Sequence, residues 1–479
     1  MYPHDGQAAW HNLTLFFTRA LLLLCFCWGL SPALQAQKGK SLTLEFSSNQ
    51  NIFDLQHLSC DTNGLCVYYY SITDLTHTFH LLHYDLNFQL LHHDTYDIAE
   101  NFVVEGASYS QDEAVILLQK RVKNKRSGEG YLFRYNFRKQ QSDSLHIHGL
   151  PTNGILRMKC APGLILFSST TSNTKHNNLY FLTGNSTTAQ GLSIPDARGY
   201  DIEDFNIDTA TRRVVVGLKS TVNNKSLVWL CETDYERNPL FIPELPDSLQ
   251  YRCESLRMTL LEDGHWMLAG TYENRANDIT EGVYTLPYRD HEFDSLKHHP
   301  YSTSSILASN NSTYSHTGGT IVADGNRIAF ITETLNPEYR DRPVYYYGVM
   351  TYEYSFYGYR YANADIFLFD STGTEVWYYT FPYDDILSQQ VNSYLQLSFI
   401  QDNILLYYVR GTDMVTMLTN THDDILDSKR ETSLFRNTGQ YNDYSNVQLK
   451  RWHGDYYLLS GFKSNKSSGT YFIHKLWYR

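Results

Sequence analysis

Histidines crowd the first third of the chain, where they could converge on a metal ion. Seven of the 19 histidines lie between residues 77 and 148: His77, His80, His83, His92, His93, His146 and His148. His146 and His148 are two residues apart in a predicted strand and would project from one face. No cysteine or carboxylate completes a metal-ligand spacing with them. We therefore predict solvated strand and turn residues, with no metal and no cofactor.

Acidic residues are numerous, but their spacing assigns no chemistry. The segment Asp201–Asp208 (DIEDFNID) alternates oxygen ligands as a calcium loop does, yet it lacks the glycine at the sixth position that bends such a loop. It is interpreted as a polar strand face. The 51 acidic residues offer no recognisable acid and base pair, and no Gly-x-Ser-x-Gly nucleophile motif is present. No catalytic residue is predicted.

Two cysteines, Cys60 and Cys66, flank the turn DTNGL. A hairpin at this turn would bring their Cβ atoms close enough for a disulfide. The candidate disulfide is therefore Cys60–Cys66, weighed against two buried free thiols. Five cysteines follow residue 36, an odd number, so at least one thiol stays unpaired.

Tyrosine is concentrated between residues 339 and 361, where nine occur. Tyr352, Tyr354 and Phe356 alternate in sequence, which predicts an extended hairpin with an aromatic face, inserted at about 337–361. Tyrosine offers a large, stiff contact area and a hydroxyl group, which suit recognition. The candidate partner-binding residues are Tyr346, Tyr352, Tyr354, Tyr357 and Tyr359. The alternative is that these tyrosines pack on a neighbouring unit.

The elements that must position these residues are short strands. After Lys40 the apolar segments are brief, rich in Val, Ile, Leu, Tyr and Phe, and bounded by turn residues. Two turns recur, and recurrence indicates repeats. One is represented by LEDGHWMLAG at 261–270 and the other by FDSTGTEVW at 369–377. They are predicted to join the first strand of a unit to the second, and the third to the fourth.

These turns divide the chain into eight units. First strands are predicted to begin near Phe53, Val103, Gly154, Ile202, Ser255, Gly318, Leu395 and Val447. The last unit supplies three strands, and the segment 41–46 (SLTLEF) is predicted to add its fourth. Pairing the two ends of the chain would close a ring without exposed sheet edges. We predict an all-β fold, a single β-propeller of four-stranded blades over residues 37–479, with eight blades or, as the alternative, seven.

The turn residues carry a resemblance to known proteins. Asp370, Gly373 and Trp377 in the second turn, with the glycines and tryptophan of Gly264–Gly270 in the first, resemble bacterial exported propellers with quinoprotein-like, "DGGYILAG"-type repeats. The resemblance covers the blade scaffold and implies no site.

Residues 1–36 have the pattern of a signal peptide. Arg19 precedes the apolar run ALLLLCFCWGL, and small residues lead to predicted cleavage after Ala36. No later stretch is apolar enough to span a bilayer. The formal charge of −12 argues against nucleic acid, which requires a clustered positive face. We expect an exported protein in the periplasm, at the cell surface or outside the cell.

Function is predicted by elimination. A rigid ring with variable loops and no recognisable catalytic set favours a non-enzymatic protein-interaction or scaffolding module of the bacterial cell envelope. A structural subunit of an envelope machine would be one form of it. The alternative is a propeller that binds or cleaves glycans through acidic residues in its central channel. Either way the expected partner is a protein or a glycan.

Overall fold

The computed structural model describes residues 37–47, 51–73, 76–99, 101–123, 125–170, 177–192, 200–222, 225–241, 243–246, 250–276, 279–302, 315–347, 349–421, 425–434, 443–464 and 468–477. The predicted signal peptide, residues 1–36, lies outside them. Regular structure in the described residues consists of β-strands and a short 3-10 helix, Asp61–Asn63. None of their helices is long and apolar enough to cross a membrane.

The described strands form eight antiparallel sheets, numbered here in chain order. Sheets 1 and 2 contain β2 Asn51–Ser59, β3 Leu65–Thr73, β4 Thr76–Tyr84 and β5 Leu90–Ile98, then β6 Phe102–Tyr109, β7 Glu113–Val122, β8 Lys125–Asn136 and β9 Gln141–His148. Sheets 3 and 4 contain β10 Arg157–Ala161, β11 Leu164–Thr170, β12 Asn177–Thr183 and β13 Gln190–Gly191, then β14 Asp201–Asp208, β15 Arg213–Val222, β16 Lys225–Asp234 and β17 Pro239–Phe241.

Sheets 5 and 6 have interrupted strands. Sheet 5 contains β18 Tyr251–Cys253, β19 Arg257–Leu260, β20 Trp266–Asn274, β21 Ile279–Arg289, β22 Glu292–Phe293 and β23 Lys297–Pro300. Sheet 6 contains β24 Ser315–His316, β25 Thr320–Asp324, β26 Arg327–Tyr346, β27 Val349–Phe369 and β28 Glu375–Ser388. Sheets 7 and 8 contain β29 Gln396–Ile400, β30 Asn403–Arg410, β31 Asp413–Asn420 and β32 Ile425–Ser433, then β33 Asp443–Arg451, β34 Tyr456–Ser464, β35 Ser468–Trp477 and, from the start of the described chain, β1 Gln37–Ser47.

Each sheet packs on the next one along the chain. In the described residues, eight buried hydrophobic clusters each draw on two sheets and their adjoining loops, and one of these clusters joins sheet 8 to sheet 1. First strands of neighbouring sheets also contact each other, as β10 and β14 do. A closed series of four-stranded sheets around a central axis is a β-propeller. The predicted fold class is confirmed.

The two ends of the described chain meet in sheet 8. Strand β1 pairs antiparallel with β35, with Thr43 opposite Phe472, as predicted for the segment 41–46. Sheet 8 then packs on sheet 1 through a cluster that includes Leu458 and Ile473. The indole of Trp452 donates a buried hydrogen bond to the carbonyl of Gly64, at 3.0 Å. The closure therefore covers the edge that β35 would otherwise expose.

The recurrent turns have a common hydrogen-bonding pattern. Asp370 Oδ1 accepts hydrogen bonds from the backbone N–H groups of Thr372 and Thr374, at 2.9 and 3.0 Å. The turns after β4 and β16 repeat this arrangement around Asp85 and Asp234. An aspartate that holds N–H groups two and four residues ahead fixes the turn between the third and fourth strands. The short sequence signal in this turn thus has a direct structural cause.

Candidate functional site

A long hairpin in sheet 6 carries the tyrosine-rich segment. Strand β26 pairs with β24 as far as Leu335, and β27 pairs with β28 as far as Tyr359. The two strands β26 and β27 continue to pair with each other out to Tyr346 and Val349. Residues 336–358, called here the ribbon, are therefore two-stranded. Neither outer edge of the ribbon has a strand partner in the described part of the chain.

One side of the ribbon is apolar and exposed. Opposite residues of an antiparallel pair share a face, and the register pairs Tyr339 with Phe356, Pro343 with Tyr352 and Tyr345 with Met350. Together with Tyr354 these residues form the aromatic face. Tyr345, Tyr352 and Tyr354 are 74%, 65% and 70% exposed. Exposed apolar patches of this kind mark contact surfaces in soluble proteins.

Ring contacts order the aromatic face along its length. The ring of Tyr339 stacks on that of Tyr354 with centroids 5.3 Å apart and meets Phe356 edge-on at 5.7 Å. Phe356 in turn meets Tyr359 at 4.9 Å. Tyr359 packs against the buried cluster between sheets 6 and 7. The aromatic face is therefore continuous with the core of the ring.

The structure separates the five predicted tyrosines. Tyr352 and Tyr354 lie on the aromatic face, and Tyr359 supports its base. Tyr346 is opposite Val349 in the register and points to the other side of the ribbon. Tyr357 lies at a bulge, where the register shifts, and the Arg340 guanidinium is 3.7 Å from its ring centroid. Tyr339, Tyr345 and Met350 also belong to the face, and only the hairpin register reveals this.

Ion pairs fix the base of the ribbon. Glu338 accepts hydrogen bonds from Arg340 and Arg360, at 2.9 and 2.8 Å. These two guanidinium groups lower the pKa of Glu338. Arg360 also binds Asp385 on β28. Because Arg340 covers Tyr357 at the same time, one network links the bulge to the third and fourth strands of the sheet.

The predicted disulfide between Cys60 and Cys66 is absent, because both residues are free thiols in the structure. Cys60 precedes the 3-10 helix and Cys66 lies in β3, and both are buried in the cluster between sheets 1 and 2. The Cys60 thiol donates to the carbonyl of Leu58 at 3.4 Å. Burial, with a contribution from Cys66, raises the pKa of Cys60 well above its usual range. The alternative of two buried thiols describes the structure.

The histidines form separate pairs rather than one cluster, and His83, predicted to be solvated, is buried, with its Nε2 2.7 Å from the carbonyl of Asn63. His80 Nδ1 lies 3.2 Å from His93 Nε2, and His92 Nε2 lies 2.7 Å from Asp94 Oδ2. His146 and His148 are neighbours on β9, with ring centroids 4.5 Å apart. Within the residues that the structure describes, no three histidine, cysteine, aspartate or glutamate side chains come together as metal ligands.

Two cavities lie along the first strands of the sheets. The larger, about 570 Å³, is lined by β10, β14, β19, residues 317–321 and the segment before β29. The other, about 510 Å³, lies between sheets 1 and 8. Among the described lining residues, each has one carboxylate, Asp204 and Asp54 respectively. Cleavage of a glycosidic bond ordinarily uses two carboxylates, and neither described lining provides that pair.

No family model matches this chain, and no curated protein matches its sequence. Solved structures are similar to it at about one identical residue in ten. The Dos1 propeller covers 89% of this chain and 96% of its own, with 10% identity and a TM-score of 0.41. The match to the propeller domain of the Trilobed protease from Pyrococcus furiosus covers 78% of this chain and 94% of that domain, with 10% identity and a TM-score of 0.38. The polysaccharide lyase Uly1 covers 79% and 90%, with 10% identity and a TM-score of 0.43. No activity is transferred from any of them.

Proposed function

We propose that this protein is an interaction module of the bacterial cell envelope and that it binds a protein partner through the ribbon. The observation that carries the proposal is the aromatic face, which is exposed over its outer half although it is continuous with the core. A tyrosine side chain loses little conformational entropy on binding and buries a large area. Tyrosines are therefore frequent hot-spot residues in protein interfaces.

The open edges of the ribbon favour a protein over a glycan. From residue 336 on β26 and up to residue 358 on β27, the outer backbone groups face no neighbouring strand of the described chain. An extended segment of another protein could add to such an edge through main-chain hydrogen bonds while its side chains contact the aromatic face. Asp341, opposite Tyr354, is the carboxylate on this side of the ribbon.

The test is affinity capture with the tagged protein from envelope extracts of its own organism. One variant carries Tyr352→Ser and Tyr354→Ser on the aromatic face. A matched control carries Tyr346→Ser and Tyr347→Ser. It also removes two tyrosine rings from the ribbon, but Tyr346 points to the opposite side and its ring contacts that of Tyr347. We expect the wild type and the control to retain a common partner, and the face variant to retain at least about 10-fold less of it.

Equal capture by the face variant, with all proteins shown to unfold at the same temperature, would contradict the proposal. Capture of glycan and no protein by the wild type would favour the glycan-binding alternative instead.

Export of the protein is part of this proposal. The charge and apolar run of residues 1–36 support it, as does the absence of any later segment of comparable apolarity in the sequence. Fractionation of cells that express the full chain, followed by N-terminal sequencing of the exported product, tests it. The expected product begins at Gln37, and an uncleaved cytoplasmic product would contradict export.

A further inference from the structure

Three cations gather in the larger cavity from two different sheets. Arg157 and Lys159 are on β10 of sheet 3, and Arg257 is on β19 of sheet 5. Arg157 and Lys159 are two residues apart on one strand and therefore share a face. The cavity takes its remaining walls from sheets 4, 6 and 7, so the three cations meet near the axis of the propeller.

Carboxylates do not balance this charge. Asp204 Oδ1 lies 3.2 Å from the Arg157 guanidinium, while Asp204 Oδ2 accepts a hydrogen bond from the backbone of Met258 at 3.1 Å. Glu203 Oε2 lies 3.4 Å from Arg257. Two carboxylates thus face three cations, within a protein whose formal charge is −12. The cavity carries a local excess of positive charge against the sign of the whole molecule.

Arg257 is held in place by backbone carbonyls as well as by its ion pair with Glu203. Its guanidinium donates to the backbone carbonyls of Gly319 at 3.0 Å and of Glu203 at 2.9 Å. Gly318 leaves room for it, because a Cβ at Gly318 would lie 3.1 Å from the guanidinium. A guanidinium whose position is fixed in this way is preorganised for an anionic ligand.

Lys159 forms no ion pair of its own, although the carboxylate of Asp204, which pairs with Arg157, acts on its charge. In the described structure its ammonium makes no hydrogen bond and no ion pair, and it lies 5.7 Å from the ring centroid of Phe205. Burial lowers the pKa of Lys159; the charge of Asp204 opposes this shift, and the charge of Arg157 adds to it. Burial and Arg257 likewise lower the pKa of Arg157. An anion in the cavity would relieve both the repulsion and the desolvation.

The lining also includes three apolar side chains, Met258, Ile321 and Val391, and six neutral hydrogen-bonding ones: Asn206, Thr259, Thr317, Thr320, Asn392 and Ser393. Thr320 and Ser393 are within 3.2 Å of each other across the gap between sheets 6 and 7. Hydroxyl and amide groups around a cationic centre suit a ligand that combines a carboxylate with several hydroxyls. The volume of about 570 Å³ is in the range of small-molecule sites.

We propose that this cavity binds a small hydroxylated organic anion, with its carboxylate held by Arg157, Lys159 and Arg257. The site is separate from the ribbon and stands independently of the interaction proposed there.

The experiment measures binding by calorimetry to the purified protein, residues 37–479, at low ionic strength. The probes are sodium gluconate, sodium glucuronate, glucose and inorganic phosphate. The variant is Lys159→Gln, because Lys159 has no structural bond to lose. The matched control is Lys450→Gln, since Lys450 lines the other cavity and its pKa is also lowered by burial.

We expect at least one sugar acid to bind, glucose not to bind, and Lys159→Gln to weaken the sugar acid about 10- to 100-fold, the usual loss for a charge-assisted hydrogen bond. Lys450→Gln should leave its dissociation constant unchanged. No binding of either sugar acid, equal binding of glucose, or equal loss in both variants would overturn the proposal. Binding of phosphate alone would show an inorganic-anion site and would overturn the assignment to a hydroxylated carboxylate.

Discussion

Two partly buried histidines should make this propeller sensitive to mild acid. His316 stacks on Tyr301 with ring centroids 4.5 Å apart, and its Nδ1 lies 3.3 Å from the hydroxyl of Thr334. His57 Nδ1 lies 2.7 Å from the hydroxyl of Tyr471. Burial lowers the pKa of each to about 4, with the charge of Lys450 contributing at His57. Both histidines are therefore neutral in the folded protein at pH 5.

The sign follows from comparing proton uptake in the two states. An unfolded histidine has a pKa of about 6.5, so between that pH and pH 4 the unfolded chain binds protons that the folded chain does not. The free energy of unfolding therefore falls as the pH falls through this window. For a folded pKa of about 4, each site loses about 2 kcal/mol between pH 7 and pH 5, and the pair loses about 4 kcal/mol.

The assay is urea unfolding followed by tryptophan fluorescence at pH 7 and pH 5. The test variant combines His316→Phe, which keeps the stacked ring, with His57→Gln, which keeps a hydrogen-bonding group for Tyr471. We expect its free energy of unfolding to fall by about 4 kcal/mol less than that of the wild type over this pH range. Each single variant should recover about half of the difference.

The comparison isolates these two residues. Burial raises the pKa of Glu333, so this residue makes the free energy of unfolding rise as the pH falls. That contribution is the same in the wild type and in the variants. An unchanged fall in stability in the double variant would refute the reasoning, since the two histidines would then be protonated in the folded state or exposed to solvent.

Two further predictions concern the ends of the chain and the thiols. A protein that begins at Asn51 lacks β1 and leaves the edge of β35 unpaired. We expect its free energy of unfolding to fall by at least about 3 kcal/mol and light scattering to show self-association. A monomer of wild-type stability would contradict the ring closure. The protein from residue 37 onward should show five reactive thiols in denaturant. In the folded protein almost none should react rapidly at pH 8, because burial raises the pKa of Cys160 and Cys231 to about 12. Three thiols in denaturant would indicate a disulfide between Cys60 and Cys66.

The sequence alone predicted the fold because a propeller is built from local repeats. Each strand is short, and each recurrent turn carries its own chemistry, as the hydrogen bonds from the backbone to Asp370 show. The first strands begin within a few residues of the predicted positions. Even the pairing of β1 with β35 was predictable, because the last unit lacked a strand and the segment 41–46 had no other place. A closed ring leaves no other sheet edge to fill.

The hairpin in sheet 6 was visible in the sequence, but its faces were not. Alternation on β27 identifies Tyr352, Tyr354 and Phe356 as one row. Which residues of β26 join them depends on register, and the register shift next to Tyr339 places Tyr357 at a bulge. A one-residue shift transfers side chains to the opposite face, so composition cannot decide which tyrosines act together.

Tertiary structure alone decided the charges around the axis and the state of the cysteines. Arg157 and Arg257 are a hundred positions apart in the sequence, and they meet because β10 and β19 are both first strands of a ring. Cys60 and Cys66 are six positions apart, and both are free thiols buried in the cluster between sheets 1 and 2. Local spacing determines strands and turns, whereas the groups that converge at an axis are determined by how the sheets pack.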